Sequence, residues 1–486
     1  MRAERALYAV LAFVALSIFV SPWTRELFVG DETKYAQVVR EMRAGAFFLP
    51  TLEGTPFTHK PPLHFWLIDL LTYPFGTYSM WPFVLPSIAG FLALLWLMWR
   101  MEGPVAAFVC STSLMVWGSA QAARMDVTFT LTIAIAAWMM QRQKFVRAGL
   151  WLGIGTLIKG PMAPVIGLML VLFEWLRTKQ RLRGRYALAI VPMVVLPLLW
   201  FIPAMILGGR SYTREVLVKQ TAGRAIGAWV HRSPFWYYIA HAPGDLFPWF
   251  LLAAIAIIAA RRRGDDRAKF YVSWILAVLV PYSVMSSKLD VYMMAMIPPV
   301  ALLIARMFAV DDVWLRRGWL ANVVMMALLL LIGVAGLFVR QAAQAKPVLI
   351  VLIVTTVLAL LVSRTPLSST IALGCVTLVP LLYATMFLMP QINELGSDRP
   401  IVRAITAQHV PAERIALYSS PYLWTRDMPR ELERVRFVSP ESLRGQSPAV
   451  IVTSRKRANE IAETLRAYRT VDSFQLIGKW FDVYRR

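Results

Sequence analysis

Cysteine is nearly absent from this chain of 486 residues, which has two, Cys110 and Cys375, both inside apolar segments. Two isolated thiols exclude a disulfide framework and a thiolate metal cluster, so both are interpreted as small core residues. The sequence also lacks internal repeats and low-complexity tracts. Its first apolar run does not end in the cleavage site of a secretory signal, and we expect that run to stay as a membrane helix.

Long apolar stretches dominate what is present, since 58% of the residues are hydrophobic. Stretches of bilayer-spanning length recur almost throughout, which predicts an all-α polytopic membrane protein with about thirteen transmembrane helices. The expected spans lie near residues 6–20, 82–100, 104–120, 127–140, 148–158, 161–176, 186–206, 248–260, 270–285, 291–309, 318–338, 347–363 and 367–389. Gly160 and Pro161 are expected to end a helix, either in a sharp turn or in a re-entrant break.

Positive charge lies in short clusters between the apolar runs, although the net charge of +23 could by itself suggest a nucleic-acid partner. We expect no such partner, because no single soluble face carries the charge. Even numbers of expected spans separate the clusters at 141–147, 177–185, 261–269 and 316–317. All four therefore lie on one side, which the positive-inside rule identifies as the cytoplasm.

The opposite, outward side receives the segments with nearly every unusual polar residue. These are mainly the loops 21–81 and 207–247, within a transmembrane domain predicted for 1–389, and the tail 390–486. The N-terminus is then cytoplasmic. In the tail, short β-rich runs alternate with helical patterns, which predicts a small α/β domain.

The stretch DETKYAQVVREM, residues 31–42, is the first concentrated charge after an apolar run. Apolar residues recur in it at helical spacing, which predicts an amphipathic helix along the membrane surface. Two interpretations of its leading carboxylates remain open. Asp31 caps the helix beside a solvated Glu32, or the pair does chemistry.

The stretch FTHKPPLHFWL, residues 57–67, holds Lys60 in extended backbone before two prolines. His59 and His64 flank this lysine. A fixed cation beside imidazole suits a phosphate oxygen or a metal that bridges phosphates. The alternative is an interfacial anchor, since these residue types favour the headgroup zone.

Further outward cations occur in the motifs QAARMDV, LIKGP and SSKLDVYMM. A cation of this kind, taken alone, is more often a snorkelling residue than a ligand. Together they predict a membrane-level pocket for an anionic head group, such as a lipid phosphate. Its candidate members are Lys60, Arg124, Lys159 and Lys288, with Asp126 and Tyr292 nearby. The aromatic loop around Arg224 and His231 is either an interfacial belt or the wall of a cavity for a prenyl chain or a sugar.

Six motifs occur in an order that resembles the bacterial membrane glycosyltransferases of the GT-C class that include the lipid A aminoarabinose transferase. They are DETKYAQVVREM, HKPPLHFWL, ARMDV, LIKGPMAPV, HRSPFWYYIAHAPGDLFPW and SKLDVYMMAMIPPVALLIA. The family is related more distantly to the protein O-mannosyltransferases. The resemblance implies an undecaprenyl-phosphate-linked sugar as donor, transfer to lipid A or another envelope acceptor on the periplasmic face of the inner membrane, and inversion.

The resemblance also implies roles for single residues. Asp31 matches the essential carboxylate of the first loop and Asp126 the acidic residue of the second, and both are predicted to be catalytic. The donor phosphate is predicted to lie against Lys60, Lys159 and Tyr292. Arg224 and Lys288 are added to this set because of their positive charge. The substrate is predicted to contact Lys34 and Tyr35. Glu32 and Arg124 are added to these residues because of their positions in the sequence.

A zinc site is a further implication, but here it departs from the family pattern. His59 stands where the aminoarabinose transferases typically have Glu, so His59 and His231 would ligate a divalent metal without a carboxylate. The pair is therefore an incomplete zinc site.

Other functions remain open. If the acceptor is a hydroxyl, Asp31 is the predicted base, whereas an anionic phosphate acceptor needs none. A protein O-glycosyltransferase differs only in its acceptor. A lipid-linked sugar flippase is disfavoured because the charged residues lie almost entirely on one face and no related halves occur. A scaffold leaves the outward charges unexplained. The protein is expected to act as a monomer.

Overall fold

The computed structural model describes residues 2–179, 185–218, 232–309, 313–426 and 428–486. Most of this part of the chain is helical. Its α-helices are Arg2–Ser17, Ser21–Thr24, Asp31–Glu41, Leu63–Phe75, Trp81–Glu102, Pro104–Ser111, Leu114–Ala120, Asp126–Gln141, Phe145–Lys159, Met162–Thr178, Arg185–Arg214, Tyr237–Asp245, Phe250–Arg263, Asp266–Val284, Ile297–Met307, Val313–Leu337, Lys346–Val362, Pro366–Tyr383, Met389–Gly396, Arg399–Thr406, Pro440–Arg444 and Ala462–Leu465. Short 3₁₀ segments include Asp290–Met296, which leads directly into Ile297–Met307.

Seven helical stretches of the described chain are long and apolar enough to cross a membrane, or eight if one sharply bent helix pair counts as a span. The seven are Glu4–Thr24, Trp81–Glu102, Ala187–Val218, Asp290–Met307, Val313–Leu337, Ala343–Val362 and Pro366–Gly396. The predicted multi-pass helical membrane protein is confirmed, but the number of thirteen spans is not. Several expected spans coincide with short helices such as Phe145–Lys159, which has 15 residues. A straight helix of that length is shorter than the roughly 30 Å of a bilayer core, so it is too short to cross the membrane by itself.

The predicted break after Lys159 is present. Helix Phe145–Lys159 ends at Gly160, whose φ of 95° is one that L side chains rarely adopt, and the next helix begins at Met162. Another glycine of the same helix allows close packing, because a Cβ on Gly149 would come within 2.0 Å of the carbonyl oxygen of Ala189. Lys159 therefore stands at the end of a helix that packs tightly, at Gly149, against the neighbouring helix Arg185–Arg214.

The chain divides into two compact units. The first contains Met1–Val20, Thr58–His64 and Pro86–Ala384, and the second contains Ser21–Phe57, Phe65–Leu85 and Thr385–Arg486. The first unit holds most of the long apolar helices. The domain boundary expected between residues 389 and 390 stays a prediction.

The second unit contains a five-stranded sheet, which confirms the predicted small C-terminal sheet. Its strands are β3 (Ile415–Tyr418), β4 (Arg436–Phe437), β5 (Val450–Ser454), β6 (Arg469–Leu476) and β7 (Lys479–Arg485), in the order β4-β3-β5-β7-β6. The pairs β3/β4 and β3/β5 are parallel, while β5/β7 and β6/β7 are antiparallel. A separate two-stranded hairpin pairs β1 (Thr51–Leu52) with β2 (Thr55–Pro56). The central strands β3 and β5 are almost fully buried, as their apolar runs predict.

A buried ion pair joins the start of the first loop to the tail within the second unit. Glu26 is 2% exposed, and Arg399 donates to its carboxylate at 2.6 Å. The backbone N–H of Glu26 donates to the side chain of Asn393, whose amide nitrogen donates in turn to the carbonyl of Thr24. Removal of Arg399 would leave a buried carboxylate without its cation, a loss that is more costly than the loss of a surface pair.

We expect Arg399→Met to lower the unfolding free energy of the detergent-solubilised protein by about 3 kcal/mol, because it uncovers the buried charge of Glu26. Arg403→Met is the matched control, since Arg403 pairs with Glu394 while 61% exposed and should cost at most about 1 kcal/mol. Thermal unfolding followed by tryptophan fluorescence measures both variants. Equal losses in the two would contradict the structural role assigned to Arg399.

Candidate active site

Asp126 lies at the centre of a charged cluster in the first unit. It is the first residue of helix Asp126–Gln141 and is 4% exposed. Lys159 Nζ lies 2.5 Å from one carboxylate oxygen, and Arg124 Nε lies 3.0 Å from the other. The helix N-terminus adds a favourable dipole for the carboxylate. Two cations share one anion, so the cluster keeps a net positive charge.

The backbone around Arg124 is held from a neighbouring helix. The Ser87 hydroxyl is 2.9 Å from the carbonyl oxygen of Ala122 and 2.7 Å from that of Arg124. Ser87 itself is fully buried. The short segment before Asp126 is therefore ordered by packing, and it aims the Arg124 side chain at the carboxylate.

Aromatic rings surround the Lys159 ammonium. Its Nζ lies 4.9 Å from the ring centroid of Tyr292 and 5.2 Å from that of Phe129. Tyr282 stacks on Tyr292 with ring centroids 5.0 Å apart. Cation–π contact favours a positive charge at this position without neutralising it. The structure thus brings together four residues predicted for the site: Arg124, Asp126, Lys159 and Tyr292.

The KPP segment occupies the first unit as predicted, outside any helix. Lys60 lies in irregular backbone, and helix Leu63–Phe75 begins after the two prolines. His59 is exposed and Lys60 half-buried. His64, by contrast, is fully buried, and burial lowers its pKa to about 4 although the charge of Asp126 acts in the opposite direction. His64 is therefore neutral near neutral pH, which leaves the nearby cations as the carriers of positive charge.

The predicted helix of the first loop is Asp31–Glu41 in the second unit, with Gly30 as its N-cap. Asp31 is therefore not the cap. Its carboxylate is 48% exposed and lies 3.7 Å from Lys34 Nζ. Tyr35 is buried and packs edge-on against Phe65 with ring centroids 5.3 Å apart. The helix thus presents Asp31 outward while Tyr35 anchors it.

Glu32 has the contacts of a residue that holds the loop together. Arg25 donates to both of its oxygens, at 3.0 and 2.6 Å, and the backbone N–H of Phe28 donates at 2.8 Å. Its side chain is 5% exposed. The predicted role of Glu32 in substrate binding stays a prediction.

The remaining predicted residues are placed as follows. Lys288 is 3% exposed, and its Nζ donates to the carbonyl oxygen of Met285. Among the described residues, no ion pair joins Lys288 to the Asp126 cluster. Arg224 and His231 lie outside the described residues. The part of the chain that the structure describes holds no group of three or more His, Cys, Asp or Glu side chains suited to a metal, which zinc sites need. His59 and His231 stay a predicted pair, and no step below depends on them.

Sequence reasoning missed two contributors to the site. Tyr282 lies within helix Asp266–Val284 and meets Tyr292 only through packing. Phe129 is one of many apolar residues on helix Asp126–Gln141. Its place three residues after Asp126 is the one available signal, because residues i and i+3 share a helix face.

The chain is similar in sequence and in fold to known proteins. Residues 59–206 match the family described as dolichyl-phosphate-mannose-protein mannosyltransferase. Over 343 residues the chain is 28% identical to the undecaprenyl phosphate-alpha-4-amino-4-deoxy-L-arabinose arabinosyl transferase of Edwardsiella ictaluri, a match of 64% of this chain and 60% of the relative. The corresponding enzyme of Serratia proteamaculans is 27% identical over 63% of this chain and 60% of the relative. The matched region thus spans about three fifths of each relative.

Two solved structures cover nearly the whole chain. The crystal structure of ArnT from Cupriavidus metallidurans bound to undecaprenyl phosphate aligns with a TM-score of 0.77 at 19% identity, covering 98% of this chain and 97% of that one. The apo structure of the same protein also gives 0.77, at 20% identity and with 99% and 98% covered. The chain has the fold of ArnT. The resemblance predicted from the six motifs to GT-C aminoarabinose transferases is thereby confirmed.

We expect His64→Gln to reduce the acid sensitivity of the fold. The native pKa of about 4 lies below the ordinary 6.5, so the unfolded state takes up a proton first, and stability falls as the pH drops from 6.5 towards 4. The variant should escape a loss of up to about 3 kcal/mol. Melting temperatures between pH 7 and pH 4.5 measure this, with His409→Asn as the exposed control. A wild-type acid slope in His64→Gln would show that His64 is not the group responsible.

Proposed function

We propose that this chain is a membrane glycosyltransferase that moves a sugar from a polyprenyl phosphate, undecaprenyl phosphate in particular, to lipid A or another envelope acceptor. The observation that carries the proposal is the Arg124–Asp126–Lys159 cluster, whose excess positive charge lies beside Tyr292 in a chain with the fold of ArnT. The names of the relatives, which give undecaprenyl phosphate-linked aminoarabinose and an arabinosyl transfer, support the same class of donor.

The chemistry follows from the leaving group. As the glycosidic bond breaks, negative charge develops on the lipid phosphate, and a preorganised cation lowers that barrier. Lys159 is preorganised because Asp126 holds its ammonium at 2.5 Å and aromatic rings flank it. Lys60, in backbone restricted by the following prolines, is proposed as the second phosphate ligand. The Tyr292 hydroxyl is proposed to donate to the same phosphate.

Asp126 is better suited to orientation than to proton transfer. Both of its oxygens are engaged by cations, which disfavours protonation during the reaction. We assign to it the positioning of Lys159 and Arg124, with Arg124 turned towards the sugar or the acceptor. Inversion at the anomeric carbon, with attack opposite the leaving phosphate, belongs to this proposal.

Asp31 is the candidate base. Its carboxylate is half-exposed beside Lys34, and a base for a hydroxyl acceptor must lie within reach of that hydroxyl. For an anionic phosphate acceptor the same residue is proposed to contact hydroxyl or amino groups of the sugar instead.

The second candidate function is protein O-glycosylation. It is favoured by the match of residues 59–206 to the protein mannosyltransferase family. We further propose a bacterial inner-membrane location, a cytoplasmic N-terminus, an outward-facing tail and a monomeric state.

We expect Lys159→Met to reduce kcat/KM for sugar transfer by roughly a hundredfold to a thousandfold, because it removes a cation aimed at the developing phosphate charge. Mass spectrometry of lipid A, after incubation of the purified protein with undecaprenyl-phosphate-linked aminoarabinose, measures the product. Lys144→Met is the control, since Lys144 is an exposed cation at the opposite end of the same helix.

A loss of folding must be separated from a loss of catalysis, because Lys159→Met uncovers Asp126. The double variant Lys159→Met/Asp126→Asn removes both charges, and we expect it to regain stability without regaining transfer. Full transfer by either variant would contradict the role of Lys159. Absence of product from the wild type, with lipid A and with peptide acceptors alike, would contradict the proposed function.

Asp31→Asn distinguishes the two kinds of acceptor. If the acceptor is a hydroxyl, loss of the base should reduce kcat by roughly a hundredfold or more, and a higher pH should partly restore it. If the acceptor is a phosphate, the loss should appear mainly in KM. Rates with lipid A and with a serine-containing peptide, measured against Asp472→Asn as an exposed control, show which applies. Unchanged kinetics with both acceptors would remove Asp31 from the mechanism.

A further inference from the structure

A second group of cations lies in the first unit, outside the Asp126 cluster. A cavity of about 460 Å³ is lined by Arg232 and Lys288, together with the hydroxyl-bearing residues Ser233, Ser283 and Ser286. Its walls come from two segments joined as a short antiparallel bridge. Arg232 pairs with Ser287, and the backbone N–H of Ser233 donates to the carbonyl of Ser286 at 3.2 Å.

Lys288 is the decisive residue of this cavity. It is 3% exposed, and within the described chain its ammonium donates to one carbonyl oxygen, that of Met285. No carboxylate of the described residues forms an ion pair with Lys288 or with Arg232. Burial lowers the pKa of Lys288, which is the direction expected for an ammonium without a counter-ion. An ammonium has three donors, so at least one remains for a ligand in the cavity.

The rim of the cavity indicates what kind of anion fits. Phe235 and Val284 line it and are 69% and 77% exposed. Large exposed apolar side chains beside one buried cation, Lys288, and one exposed cation, Arg232, suit an amphiphile whose acidic head enters the cavity while its apolar part stays outside. A phosphate monoester carries up to two negative charges and several acceptor oxygens, which matches two cations and three hydroxyls.

We infer that Arg232 and Lys288 form a second anion site, separate in its residues from the Asp126 cluster, which binds the phosphate monoester of a lipid substrate. The inference rests on the proposed function only in the choice of the lipids that are tested. It places Lys288, which the sequence predicted as a ligand of the donor phosphate, in a pocket with Arg232. The occupant is the phosphate monoester of either the acceptor or the polyprenyl phosphate that is released when the sugar leaves the donor.

The test is equilibrium binding to the full-length protein in detergent micelles, without any sugar donor, so that no transfer is required. The probes are radiolabelled undecaprenyl phosphate, lipid A with its phosphates, and phosphatidic acid. Dephosphorylated lipid A, undecaprenol and diacylglycerol are the matched dephosphorylated probes. The variants are Arg232→Gln, Lys288→Gln and Lys288→Arg, with the exposed Lys346→Gln as control.

We expect each Gln variant to weaken binding of phosphatidic acid and of one natural phospholipid probe by roughly tenfold to a hundredfold, as loss of a charged hydrogen bond does. Lys288→Arg should restore most of it, and the dephosphorylated probes should not respond. Selective loss for lipid A identifies the acceptor phosphate as occupant, and selective loss for undecaprenyl phosphate identifies the donor phosphate.

Unchanged binding of every phosphate probe in folded Gln variants would overturn the inference. So would equal losses for phosphorylated and dephosphorylated probes without rescue by Lys288→Arg, because that pattern indicates a packing defect. A wild type that binds phosphatidic acid through Lys288 but neither natural lipid would contradict the proposed function and leave the anion site standing.

Discussion

The carboxylate of Asp126 can be buried among apolar helices because Lys159 and Arg124 share its charge. Desolvation of an isolated carboxylate costs several kcal/mol, and two short ion pairs offset that cost. The pairing also joins two helix ends, since Asp126 begins one helix and Lys159 ends another. The position of Lys159 is thus tied to the packing of the helices themselves.

A surplus of one positive charge gives this arrangement a chemical use. A pair of one cation and one carboxylate has no net charge, whereas two cations on one carboxylate retain a positive charge that attracts a further anion. Tyr292 and Phe129 place π-faces against Lys159, which favours the ammonium without supplying a counter-charge. The Arg232 and Lys288 cavity follows the same rule more strongly, since no described carboxylate pairs with either cation.

In the first loop, two adjacent acidic residues differ in their exposure to solvent. Asp31 and Glu32 are neighbours in sequence, yet one is half-exposed while the other is enclosed by Arg25 and the backbone of Phe28. Successive residues of a helix point about 100° apart, so a helix that lies on its unit presents one and buries the next. The buried carboxylate orders the loop, and the other remains half-exposed.

The sequence by itself determined the class of molecule. Apolar length and basic clusters predicted a helical membrane protein, Gly160 and Pro161 predicted the break after Lys159, and β-rich runs predicted the C-terminal sheet, because each depends on local chemistry. Six motifs in order also predicted the fold of ArnT, and they named Arg124, Asp126, Lys159 and Tyr292. Tertiary structure decided what local patterns do not contain: the stacking of Tyr282 on Tyr292, the enclosure of Glu32, and the meeting of Arg232 with Lys288. These contacts depend on how the chain folds back on itself, and their partners are chosen by packing and by the cost of burying charge.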